Sequence, residues 1–388
     1  MFVPIANEPR DYAWGSTTLL ASYLGRSGSG GPEAELWLGA HPASPSVVAR
    51  GPHAGSELGS VLDAEGARRP AMLLKVLAAA QPLSLQAHPD AGRAREGWER
   101  EERLGIPLDA PHRSYRDPNP KPEIIVAVTS FEALSGFRPR AQASEVAAAL
   151  AAADERAAPL VEHVSAGDAL PWLLSGSPDV APVVEAAVAA RDELARTHPV
   201  EADTVARLSS AHPGDPGILV ALLLNRVSLA PGEALFLPAG NLHAYLSGLG
   251  IELMGPSDNV LRGGLTPKHV DVAELLAVVD RTPLVDPRLP AEPLDGAVAY
   301  RPSAPFELRR VAGRHDVDAG RALLLAVSDA TVTVDGETHR MRAADAAWID
   351  TAAPFRVDAA EAWLALERDT PQAGVPALSA ATLLESPT

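Results

Sequence analysis

PGEALFLPAGNLHAYLSGLGIELMGPSDNVLRGGLTPKHVD, residues 231–271, carries the densest chemical signal in this 388-residue chain. Ala234-Leu235-Phe236-Leu237 is an apolar run opened by Pro231-Gly232 and closed by Pro238-Ala239-Gly240-Asn241, so it reads as a short strand between turns. His243 and Tyr245 follow two apart, which on an extended chain places both on one face. An imidazole on a buried face needs a partner. Alone, His243 reads as a core histidine bonded to backbone; residues far upstream change that reading.

Residues 70–90, PAMLLKVLAAAQPLSLQAHPD, suggest strands from Met72 to Leu77 and from Leu83 to His88, split by Gln81-Pro82. In the second, Ser84, Gln86 and His88 form a polar row opposite Leu85 and Ala87, which is costly unless a metal, a ligand or water satisfies it. In YRDPNPKPEIIVAV, residues 115–128, prolines at 118, 120 and 122 forbid a helix and hold the chain extended. Lys121 and Glu123 then share a face, and Glu123 opens an apolar strand where a carboxylate needs a cation. A lone Lys-x-Glu is more commonly a surface pair. Together, however, Gln86, His88, Glu123 and His243 supply two imidazoles, a carboxylate and an amide oxygen from three distant segments. That donor set suits a borderline divalent ion such as Zn²⁺ with positions left open for water or substrate.

The remaining sequence bounds the fold. With 46% hydrophobic and 21% charged residues the chain is globular, and its length suggests two or three domains of roughly 150 residues. A net charge of −17 opposes a general nucleic-acid or anionic-membrane surface but allows a local basic pocket for a small anion. Without cysteine there is no disulfide, thiolate ligand or thiol nucleophile. The start, MFVPIANEPRDYAWGS, has acidic residues where a secretory leader is basic and apolar, and the longest apolar run, Ile218 to Leu224, is too short to span a bilayer. A soluble, cytoplasmic protein is expected.

Residues 25–32, GRSGSGGP, read as a surface loop, Trp37 as aromatic core, and residues 92–114 as a solvated helix followed by a loop with His112 exposed. Alanine-rich residues 140–215 read as helices, with entry signals at Ser144 and Ser177-Pro178-Asp179, and His163, His198 and His212 read as structural. Beyond 290, short strands return: Phe306 to Val311, Ala322 to Val327, Thr331 to Asp335 turning at Asp335-Gly336, Ala346 to Ile349, and Trp363 to Leu366.

The runs YAWGS, QAHPD, YRDPNPKPE and LPAGNLHAYLSG…IELMGPSDNVLRGGLTPKHVDV resemble those of type I mannose-6-phosphate isomerases, in collinear order from about residue 2 to 280. The resemblance implies a mainly β fold: a cupin-type β-barrel (jelly roll) from residues 1–139 and 216–288, an α-helical insertion at 140–215, and a second, barrel-like β domain at 289–388. It implies one zinc per chain on Gln86, His88, Glu123 and His243. Arg262, Lys121, Asp258 and Glu252 match the family's catalytic residues, and Trp14, Ser84, Tyr245, Lys121 and Arg262 are expected to touch substrate.

The implied activity of this expected monomer is aldose–ketose isomerisation of mannose 6-phosphate and fructose 6-phosphate through a cis-enediol. The base stays open among Lys121, Glu252 and Asp258. Two other readings are a metal-binding cupin that recognises sugar phosphates without turnover, and an iron-dependent cupin oxygenase, against which Gln86 and the SDNVLRGGLTPKH run speak. One departure stands out: Pro120 occupies a position where the family commonly carries histidine.

Overall fold

Twelve residues of the stretch around His243 form one strand, His243–Met254, and four others pair with it. In the computed structural model, which describes residues 1–368, its later part runs between Leu73–Ala79 and Glu123–Ala127. Its first residues run instead between Gln86–Ala87 and Phe131–Phe137. The register shifts between Tyr245 and Ser247, where the strand exchanges one pair of neighbours for the other. Gly248 makes that crossover possible: its φ is +121°, and a Cβ there would lie 2.6 Å from the Ser130 carbonyl oxygen.

Alternation along these strands sorts side chains between two faces. Leu74, Val76, Ile124, Val126, Ile251 and Leu253 enter one apolar core. Lys75, Leu77, Glu123 and Glu252 face the other way, into a cavity. Among the described residues the strands form two antiparallel sheets of ten. The second is built mainly from Phe306–Val317, Gly320–Ala326, Ala346–Thr351 and Phe355–Glu367, with the hairpin Ala330–Val334 and Glu337–Met341 turning at Asp335-Gly336. Trp348, Trp363, Phe306 and Leu323 from this sheet pack on Leu74, Val76 and Ile251 from the first. Each such fully buried side chain contributes about 1.5–3 kcal/mol relative to exposure.

The strand pattern expected beyond 290 is present and longer than the sequence suggested. The first strand, Phe2–Ala6, pairs with Ala346–Thr351, so residues that chain order places with the N-terminal half are hydrogen-bonded into the C-terminal sheet. Helices occupy 140–211, the first being Arg140–Ala153. Ser144 therefore lies inside that helix. The chain enters it from Pro139, whose missing N–H is no loss where first-turn donors are unpaired anyway. Asp179 does sit immediately before Val180–Ala189.

The apolar run from Ile218 is the helix Gly217–Leu222. Leu83–His88 is mostly irregular: only Gln86–Ala87 is strand, because Leu83 N–H donates to Tyr245 and Leu85 N–H to Gly264 in place of a regular ladder. Among the described residues no helix is long and apolar enough to cross a membrane.

Glu307, buried in the C-terminal sheet, accepts from Arg301 Nε at 3.0 Å and Arg368 Nη1 at 2.9 Å, with Arg309 also against it. Burial alone would push its carboxyl up, but Arg309 and Arg301 outweigh that and hold it below the usual range. A depressed folded-state pKa stabilises the fold above the unfolded pKa, and that contribution is lost as pH falls through the folded value. Glu307→Gln should thus lower unfolding free energy by about 2 kcal/mol near neutrality. In urea denaturation the difference from the parent should shrink below about pH 4.

Candidate metal centre and active site

Glu123, the first residue of its strand, is 1% exposed, and His88 and His243 are equally buried. His88 Nε2 lies 3.4 Å and His243 Nε2 3.3 Å from Glu123 Oε2. All three atoms are buried without a hydrogen-bond partner. Each imidazole's other nitrogen is engaged: Nδ1 of His88 donates to the Asn259 carbonyl at 2.7 Å, and Nδ1 of His243 to the Asn241 carbonyl at 3.0 Å. That fixes both rings in the tautomer whose Nε2 lone pair points at the carboxylate. Burial drives the His88 pKa down to about 4.

Glu123 Oε1 is taken by Lys121 Nζ at 2.9 Å, which leaves Oε2 for the imidazoles. Burial alone would raise the Glu123 carboxyl; Lys121 and His88 outweigh it and hold it well below the usual carboxylate range. Three ligand atoms within 4.8 Å of one another, lone pairs inward and no protein donor between them, fit a divalent cation. Gln86 stands opposite His243 in the ladder on one side and opposite Arg262 on the other, so the three residues share a face, and Gln86 lines the same cavity.

The cavity, about 550 Å³, takes in Trp14, Ser84, Gln86, Lys121, Glu123, Tyr245, Glu252, Asp258 and Arg262. Every residue picked from sequence as a candidate is therefore at this cavity or, for His88 and His243, in its buried floor. Tyr245 spends its hydroxyl on Glu252 Oε1 at 3.0 Å. Trp14 stacks on Tyr12 at the rim, with ring centroids 5.8 Å apart.

Lys75 went unremarked in the sequence. It lies directly across the ladder from Glu252, with Nζ 2.9 Å from Glu252 Oε2 and 3.5 Å from Glu35 Oε1. Burial alone would lower its pKa, yet Glu252 and Glu35 outweigh that and raise it. Glu252 is itself pushed up by burial, against the pull of Lys75. A lone lysine inside the run LLKVLAA was the available signal, since a buried ammonium requires carboxylates.

Elsewhere in the lining, burial and Arg116 depress the Arg262 pKa, and burial, Arg262 and Arg116 depress that of Lys268. Among the described residues none of these three cations has a salt-bridge partner. His212, read as structural, also lines the cavity, and its Nε2 is buried without a partner.

The loop 255–260 ties these parts together. Asn259 Oδ1 accepts the Arg116 N–H at 2.7 Å, and its Nδ2 donates to the carbonyls of Asp117 and Asn119 at 2.7 and 2.9 Å. Asp117 Oδ2 in turn accepts from Ser257 Oγ and from the Asp258 N–H. One buried asparagine thus sets both the approach to Lys121 and the orientation of His88.

Residues 2–140 match the family described as phosphomannose isomerase type I, catalytic domain. The chain is 38% identical over 293 residues to mannose-6-phosphate isomerase of Escherichia coli K12, covering 71% of this chain and 74% of that one. The chain belongs to the type I phosphomannose isomerases. It is also 34% identical over 314 residues to the Schizosaccharomyces pombe mannose-6-phosphate isomerase, covering 69% and 71% of the two chains. A crystal structure of zinc-bound mannose 6-phosphate isomerase superposes with a TM-score of 0.85 at 29% identity, over 95% of this chain and 99% of that one. The likeness to this phosphomannose isomerase structure thus extends over the helical and C-terminal parts.

Removing the Lys75 ammonium would strand two buried carboxylates. Lys75→Met should destabilise the protein by about 3 kcal/mol, with Lys75→Met/Glu252→Gln recovering part of the loss, as measured by chemical denaturation.

Proposed function

We infer that this chain is a zinc-dependent aldose–ketose isomerase interconverting mannose 6-phosphate and fructose 6-phosphate through a cis-enediol. The observation that carries this reading is the convergence of His88 Nε2, His243 Nε2 and Glu123 Oε2, buried and unpartnered, at the floor of a cavity whose lining also holds Arg262 and Lys268, neither with a salt-bridge partner among the described residues. His88, Glu123, His243 and Gln86 would hold one zinc per chain. When bound, it would orient and polarise the substrate's oxygens.

The chain's own residues divide the remaining work. Arg262 with Lys268, and Arg116 behind them, would receive the phosphate, whose charge relieves their mutual repulsion. Trp14 and Ser84 would bound the sugar. Of the three candidate bases, Lys121 is committed to Glu123, and Glu252 to Lys75 and Tyr245. Asp258 is half-buried at the cavity wall, and its carboxylate accepts no hydrogen bond from a described residue. It is therefore the carboxylate we assign to take the C2 proton, with Lys121 facing the charge that develops on the enediol oxygens.

The architecture we propose is a cupin-type jelly roll over 1–139 and 216–288, an insertion over 140–215 and a barrel-like domain over 289–388, with Phe2–Ala6 counted with the last. The reading of a cytoplasmic monomer acting on a small sugar phosphate accompanies it. A coupled assay on mannose 6-phosphate tests the function: turnover should be abolished by chelation and restored by zinc, and turnover unaffected by chelation would overturn the metal's role.

Pro120 replaces a histidine considered elsewhere in the family for proton transfer. Pro120 is half-buried and is not among the residues lining the cavity, whereas Lys121 and Glu123 on either side of Pro122 are buried and line it. A ring outside the cavity lining has no part in the proposed chemistry. Pro120→His should therefore change kcat by less than about tenfold, a barrier difference of roughly 1.4 kcal/mol; restoration of turnover by orders of magnitude in an otherwise inert parent would favour a sugar-phosphate binder instead.

A further inference from the structure

The run ELWLGAHP brings a histidine up behind Asp258, a residue of the cavity lining, from a segment far in sequence from the metal ligands. His41 is buried, and its Nδ1 accepts the Ala43 N–H at 3.2 Å, which places its proton on Nε2. Nε2 faces Asp258 Oδ2 at 3.6 Å, a separation that a small rotation of the half-buried carboxylate shortens to a hydrogen bond. The ring is wedged edge-on against Trp37, with centroids 5.2 Å apart and planes at 85°. Trp37 is anchored by its Nε1, which donates to Glu35 Oε2 at 2.9 Å, and Lys75 Nζ lies 4.6 Å from its ring centroid.

The loop behind is equally fixed: Ser44 and Ser46 N–H groups donate to the carbonyls of His41 and Gly39, and Asn7 Nδ2 donates to Trp37 and Ser44. His41 therefore has one orientation. Besides Asp258, the charged groups acting on it are Lys75, Asp117 and Lys121, and burial keeps it neutral, so it meets the carboxylate as an N–H donor without charge.

We propose that His41 is the positioning residue for Asp258, its Nε2–H holding the carboxylate in the orientation from which it takes the substrate's proton. This rests on the reading of Asp258 as the base. Asp258's backbone is already tied through its N–H to Asp117, so the side-chain rotation is the remaining freedom, and His41 is the described side chain that faces its oxygens. A donor that fixes a base without touching substrate acts on the chemical step and leaves ground-state binding nearly unchanged.

Two substitutions separate positioning from support of the loop. His41→Asn can keep an acceptor for the Ala43 N–H but cannot reach Asp258, whereas His41→Gln can place an amide N–H where Nε2 stands. Steady-state kinetics on mannose 6-phosphate, with zinc content and melting temperature as controls, should show kcat reduced about 30-fold in His41→Asn with KM within about twofold. His41→Gln should recover most of that loss, and zinc content should match the parent in both. Equal losses in the two variants, or loss of fold or zinc in both, would assign His41 to the loop and overturn the proposal. Asp258→Asn is the separate control. If it is inactive while His41→Asn turns over like the parent, the positioning role fails and the base stands; if it retains full turnover, Asp258 is not the base and both fall.

Discussion

Three lone pairs with nothing to receive them organise this protein. His88 Nε2, His243 Nε2 and Glu123 Oε2 are buried, mutually close and without donors, while the other atom of each group is firmly occupied by Asn259, Asn241 or Lys121. Left dry and empty, such a cluster would cost several kcal/mol in unsatisfied polar groups. Filled by a divalent cation, the same arrangement becomes favourable and ties three distant segments of chain to one point. The surrounding hydrogen bonds make sense as devices that keep those lone pairs inward.

The sheet converts that local demand into a graded cavity. Residues 75, 123 and 252 fall on one face because each strand alternates, and the register of His243–Met254 with its neighbours sets Glu252 against Lys75. Charge then changes along the pocket: ligands at the floor, a Lys75–Glu252–Glu35 cluster in the wall, and Arg262 and Lys268, with no salt-bridge partner among the described residues, on a further part of the lining. A chain of net charge −17 thus gathers Arg262 and Lys268 on one part of its cavity wall, a placement that favours a small anion over an extended polyanion.

The chemistry was more legible in the sequence than the architecture. Ser84, Gln86 and His88 announced themselves by alternation, and Lys121 and Glu123 by the prolines around them, since both signals are local. Lys75 did not, because its carboxylates lie 40 positions before and 177 after it, and only the strand register brings them together. The pairing of Phe2–Ala6 with Ala346–Thr351 was hidden for the same reason. His41 and Asp258 meet only through folding, and His212 was set aside because its alanine-rich surroundings describe a helix and not which wall that helix covers. Ser144 misled by composition: a good capping residue inside a helix that already begins at Arg140.

X-ray absorption at the zinc edge on the purified protein tests the central claim most directly. One zinc per chain, with two imidazole nitrogens at about 2.0–2.1 Å, further oxygen ligands and no sulfur, is the result the geometry predicts. A protein active on mannose 6-phosphate that contains no divalent metal, or zinc whose spectrum shows no imidazole, would contradict it.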